Sequence, residues 1–118
     1  MKKGLLAVAL AVMLTLTACG GAESDRSAED LPRLVIASDN YKPYSYVGPN
    51  GNLIGVDVDL ATEACRRLGY APEFCQIVWE NKDAYLSSGQ ADCLWGSFTM
   101  TGREDLYQWA GPYLYSRQ

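Results

Sequence analysis

The sequence predicts an α/β fold in three layers, with helices on both faces of a mainly parallel sheet. Two observations carry this. Short apolar runs alternate with helix-periodic stretches in the order strand, helix, strand, helix, strand, which spells βαβ units with right-handed crossovers. Polar and aromatic residues then gather where each apolar run ends, at 39–44, at Trp79 and at 97–103. In such sheets ligands sit beyond the carboxyl ends of the strands. Three separate segments are thereby expected on one rim.

The elements follow in order. Met1-Lys2-Lys3 is a positive start, and 4–16 is an apolar run too short for a comfortable membrane span. Leu16-Thr17-Ala18-Cys19 resembles the bacterial lipobox, in which a lipidated Cys becomes the mature N-terminus. Residues 1–18 are therefore expected to be a lipoprotein signal peptide and Cys19 the lipidation site. Residues 19–30 carry almost no apolar side chains. They cannot offset an ordering entropy of roughly 1–2 kcal/mol per residue and are expected to form a flexible tether. The folded part is expected over 31–118, one small domain with a modest core.

Leu34-Val35-Ile36-Ala37 reads as a buried strand ending in Ser38-Asp39-Asn40. Residues 44–47 and 52–54 flank Gly48-Pro49-Asn50-Gly51, a turn cluster containing Asn-Gly, and predict a hairpin. A helix is expected over 57–68. Leu60, Ala61, Ala64, Cys65 and Leu68 recur at helical spacing, Asp57 can cap it and Gly69 can stop it. Residues 73–79 predict a second strand, 81–88 a short helix stopped by Gly89, and 92–97 a third strand. A helical turn is expected over 102–107, and 109–113 leads toward a last extended piece.

The stretch 95–104 carries the chemistry. Ser97, Thr99 and Thr101 alternate, so an extended chain points their hydroxyls to one side. Thr101 with Glu104 has the spacing of a capping box. A helix start there offers free amides and partial positive charge, and Arg103 adds a donor fork matched to a carboxylate. The expectation is a pocket wall for an anionic group, most simply an α-carboxylate.

Composition narrows the alternatives. Fourteen acidic residues stand against ten basic ones, and loss of Lys2 and Lys3 with the leader sharpens the imbalance. An acidic surface argues against nucleic acid as a partner. The chain has no histidine, which removes the commonest general base and metal ligand and every Ser-His or Cys-His pair. No metal and no cofactor is expected. Setting Cys19 aside leaves Cys65, Cys75 and Cys93, an odd number, so at least one thiol is free or pairs with another chain. Cys75 and Cys93 read as small apolar core residues.

With these segments in order, the chain resembles the extracellular solute-binding proteins of the polar amino acid ABC importers, family 3, from about residue 34 to 115. The strand, Asp39 and the loop Asn40-Tyr41-Lys42-Pro43-Tyr44 match the family's opening block. Gly55-Val56-Asp57-Val58-Asp59-Leu60-Ala61 matches its next, Trp79 its following loop, and Leu86, Gly89 and Asp92 the lead into the third strand. The hydroxyl-rich turn, Arg103 and the run from Trp109 to Pro112-Tyr113 complete it. Two departures are a loop after Asp39 about one residue short, and Arg103 two residues after Thr101 where the family has three. Cys65 falls where some members carry a disulfide to the next strand's start; that partner position holds Pro72 here, and no bridge is predicted.

The resemblance implies a partial type II periplasmic-binding-protein-like lobe, with a second lobe absent from this sequence. It implies that Tyr41 or Tyr44, and Trp79, sandwich a ligand's carbon skeleton. Ser97 and Thr99 would hold the ligand, Arg103 would pair with its α-carboxylate, and Asp39 would meet a polar side chain or ammonium. It implies no enzyme but a receptor handing an amino acid to a membrane permease. The alternatives are the input domain of a sensor or of a cell-wall lytic transglycosylase.

Overall fold

The computed structural model describes residues 27–115. The expected leader, Cys19 and the tether as far as residue 26 lie outside the described residues. A 3-10 turn at Ala28–Asp30 precedes strand β1 (Arg33–Ser38), the hairpin β2 (Tyr46–Val47) and β3 (Leu53–Ile54), and helix α1 (Val56–Leu68). Strand β4 (Ala71–Gln76), a 3-10 turn at Trp79–Asn81, helix α2 (Lys82–Ser87) and strand β5 (Cys93–Leu94) follow.

The strands β4, β1 and β5 lie in that order, all parallel, with Ile36 opposite Phe74 on one side and Cys93 on the other. Alternation sorts their side chains between two faces. Leu34, Ile36, Phe74 and Cys93 pack with Ala61 and Cys65 of α1. Val35, Ala37, Cys75 and Leu94 pack with Ile77, Ala91 and, from α2, Tyr85 and Leu86. One helix per face gives the three layers expected. The chain leaves β1 toward one edge, for β4, and then crosses to the other, for β5. The order reverses between the ends of β1 and β5, and a crevice belongs there.

Helix α1 begins one residue earlier than predicted, and Asp57 does not cap it. Its first amides are taken by backbone instead: Val56 N–H donates to Pro43 O at 3.2 Å and Asp57 N–H to Tyr44 O at 2.9 Å. Gly55 makes this approach feasible. Its φ is +132°, and a Cβ there would lie 2.3 Å from Tyr44 O. At the other end Gly69 adopts the left-handed conformation and its amide bonds to Cys65 O, as its position predicts. The outward face carries Glu63, whose carboxylate accepts from Arg66 and Arg67.

Other predicted elements are shorter or absent, helix α2 among them at Lys82–Ser87 against the predicted 81–88. Strand β4 stops at Gln76 rather than 79, because β1 supplies partners only as far as Ser38, opposite Gln76. Trp79 sits instead in the 3-10 turn. Strand β5 covers two residues of the predicted 92–97, because Ser97 takes a φ of +53° and turns the chain aside. That same turn breaks the alternation expected of Ser97, Thr99 and Thr101. Residues 102–107 form successive turns and no helix: Arg103 N–H donates to Met100 O and Leu106 N–H to Arg103 O. Gly102, at φ +79°, is in the left-handed region and cannot open an α-helix. The capping box therefore does not form as predicted. The Glu104 carboxyl is held below its ordinary range by its own amide and those of Gly102 and Arg103. Cys65, Cys75 and Cys93 are all free thiols.

Candidate functional site

A cleft of about 270 Å³ opens beyond the ends of β1 and β5. Asp39, Tyr41, Trp79, Ser97, Thr99 and Arg103, six of the seven residues singled out for ligand contact, line it with Gly96 and Phe98. Tyr44 does not. It stacks behind Tyr41, with centroids 5.5 Å apart and planes at 14°, and so braces that ring. The loop after β1 is tied down by Tyr41 N–H donating to Ser45 O and by a buried 2.9 Å contact between the Ser38 and Ser45 hydroxyls.

Asp39 follows directly on β1. Its Oδ1 is buried with no hydrogen-bond partner among the described residues. Burial raises its pKa, its own backbone amide opposes that, and the neighbouring Asp57 and Glu80 charges add to the rise. Gly96 leaves the space beside it open, since a Cβ there would begin 3.5 Å from Oδ1. The result is a carboxylate short of a donor at the cleft wall.

Ser97 reaches the cleft through its left-handed backbone, and Asp57 holds it there. Asp57 is 1% exposed. Its Oδ2 accepts from Ser97 Oγ at 3.1 Å and its Oδ1 from Tyr113 OH at 2.8 Å. Burial, followed by the Asp57 hydrogen bond and charge, pushes the Tyr113 phenol up to about 12. The Ser97 hydroxyl proton is thus committed, while its lone pairs remain to accept from a ligand.

The aromatic wall centres on Phe98, which sequence reasoning passed over. Trp79 meets it edge-on at 5.0 Å and Tyr107 at 5.2 Å, and Trp109 lies tilted against it at 5.3 Å. The Arg103 guanidinium carbon lies 5.3 Å over the same ring, and NH1 donates to Thr99 O at 3.1 Å. Lys82 Nζ sits 5.6 Å from the Trp79 ring. The available signal was that Phe98 lies within 97–103, which with Trp79 was predicted to meet at one rim; Tyr107 and Trp109 lie beyond those segments. Among the described residues no group of three His, Cys, Asp or Glu side chains is placed to hold a metal ion.

The sequence profile of the bacterial extracellular solute-binding proteins, family 3, matches residues 34–118. The chain is 30% identical to the L-cystine-binding protein TcyA of Bacillus subtilis (strain 168), over 99% of this chain and 49% of that protein. It is 32% identical to the arginine-binding extracellular protein ArtP of the same organism, over 86% of this chain and 40% of that one. The chain spans about half the length of the curated relatives it matches. Among solved structures, the arginine-bound form of domain 1 from TmArgBP is similar with a TM-score of 0.64 at 29% identity, covering 69% of this chain and 66% of that one.

Proposed function

The chain belongs to the bacterial extracellular solute-binding proteins, family 3, and from that premise we propose that it captures a small amino acid or related zwitterion outside the cytoplasm for an ABC importer. Its fold is part of a type II periplasmic-binding-protein lobe. The observation that carries the proposal is that Asp39, Trp79 and Arg103, from three separate loops, share one cleft. Arg103 takes the α-carboxylate as a bidentate pair. Asp39 supplies the acceptor for an ammonium or for a cationic side chain. Trp79 and the Tyr41–Tyr44 stack bracket the carbon skeleton, and Ser97 and Thr99 add polar contacts. The reading is binding, not catalysis.

Relatives named for arginine and cystine, and a solved arginine-bound domain 1, support the ligand class. Titration calorimetry of the chain with L-arginine, L-histidine and L-cystine is expected to give saturable heat with at least one. No heat with any common amino acid overturns the proposal. Affinity for L-arginine should fall on acidification sooner than an ordinary aspartate would dictate, because the raised Asp39 carboxyl loses its charge at higher pH. The stability of the empty protein should respond in the opposite sense. Protonated Asp39 is favoured in the folded state, so its contribution to folding is present at low pH and is lost as pH rises through its folded value.

Lipidation of Cys19 and delivery to a membrane permease complete the proposal. Cells fed a radiolabelled fatty acid should label the protein, and Cys19→Ala should abolish the label. A label that survives this change would remove the anchor from the proposal.

A further inference from the structure

We propose that Phe98 is a positioning residue that fixes the Arg103 guanidinium against the aromatic wall of the cleft; the inference rests on the reading above and deepens it. Arg103 is exposed, and a long exposed side chain ordinarily spreads over many rotamers. Here it is confined. Its guanidinium carbon lies 5.3 Å over the Phe98 ring, and its NH1 donates to the carbonyl of Thr99, the next residue. Its own carbonyl accepts from Trp109 Nε1 at 3.1 Å. The ring and the carbonyl that hold the cation therefore come from adjacent residues on the cleft wall.

Phe98 is itself held from behind. Tyr107 and Trp109 meet its ring at 5.2 and 5.3 Å and each other at 5.5 Å. Tyr107 OH donates to Asp83 Oδ1 of α2 at 2.7 Å, which ties this cluster to the helix. Lys82, also on α2, places its Nζ 5.9 Å from the Phe98 ring. Trp79 stands edge-on to the same ring at 84°. One side chain thus sets the spacing between the stacking surface and the carboxylate-binding cation. An aliphatic residue would fill the volume, but it has no quadrupole to hold a guanidinium.

The test uses the full chain, L-arginine as the probe, and Phe98→Leu and Phe98→Trp as variants. In ligand-free protein, NMR should find Arg103 side-chain protons shifted upfield by the ring, identified by their loss in Arg103→Lys. Phe98→Leu should abolish that shift and weaken L-arginine binding about tenfold, while Phe98→Trp keeps both near parental values. A role in packing alone would leave the Arg103 protons unshifted in the parent, and that result overturns the proposal. Parental affinity in Phe98→Leu also overturns it. If the parent gives no heat with L-arginine, the binding proposal suffers, and the upfield shift still decides whether Phe98 holds Arg103. If Phe98→Leu fails to fold, the parental shift and the Phe98→Trp variant decide.

Discussion

Gly55→Ala is expected to destabilise the fold by about 3 kcal/mol or more, and to leave much of the chain unfolded at room temperature. A Cβ at 55 would lie 2.3 Å from Tyr44 O, 2.6 Å from Tyr44 C and 2.7 Å from Pro43 O. All three are backbone atoms, so no rotamer change relieves the overlap. The backbone conformation at φ +132° adds its own penalty for any residue with a side chain. Moving the loop away would strip the Val56 and Asp57 amides of their acceptors. Gly69→Ala is the matched control. Its φ is +77°, but nothing among the described residues lies within 4 Å of the added Cβ, so only the left-handed penalty of about 1–2 kcal/mol applies. Urea denaturation of both variants checks the difference. Equal midpoints would refute the packing argument.

Arg103→Ala should reduce affinity about 100-fold for whichever amino acid the parent binds, with a much smaller effect on stability. Loss of a bidentate, charge-assisted pair at a binding centre is worth about 2–3 kcal/mol. The side chain is exposed and, among the described residues, donates only to the Thr99 carbonyl, which water can satisfy in its absence. The stability change should stay within about 1 kcal/mol. Arg103→Lys should not restore binding, because an ammonium cannot reproduce the planar fork. Calorimetry paired with thermal melts separates the two quantities. Unchanged affinity in Arg103→Ala would dismiss the carboxylate role.

The layers of this fold were legible because period-two and period-3.6 patterns report local burial. Leu34 and Ile36 against Val35 and Ala37 already divide between two faces, and Ala61 and Cys65 already mark the inner stripe of α1. The rim was legible for the same reason, since strand ends can be read from where apolar runs stop. What failed was backbone conformation decided by single residues. Ser97 at φ +53° and Gly102 at φ +79° each redirect the chain where the local pattern reads as extended or helical. Asp57 failed differently. A carboxylate near a helix start looks like a cap, but its partners Ser97 and Tyr113 lie 40 and 56 residues away. No local pattern contains that information. The choice between Tyr41 and Tyr44 stayed open in the sequence, because two tyrosines three residues apart do not announce which stands in front; Tyr41 lines the cleft and Tyr44 stacks on it.

The first turn of α1 joins parts of the cleft that the chain visits far apart. Carbonyls of Pro43 and Tyr44 grip its amides, and the Asp57 side chain grips Ser97. The tyrosine lip and the serine lip are in effect bolted to a common yoke, so neither drifts without dragging the other. If the proposed capture of a small zwitterion holds, such a jaw leaves a guest little slack to remove, and the entropy lost on binding is correspondingly small.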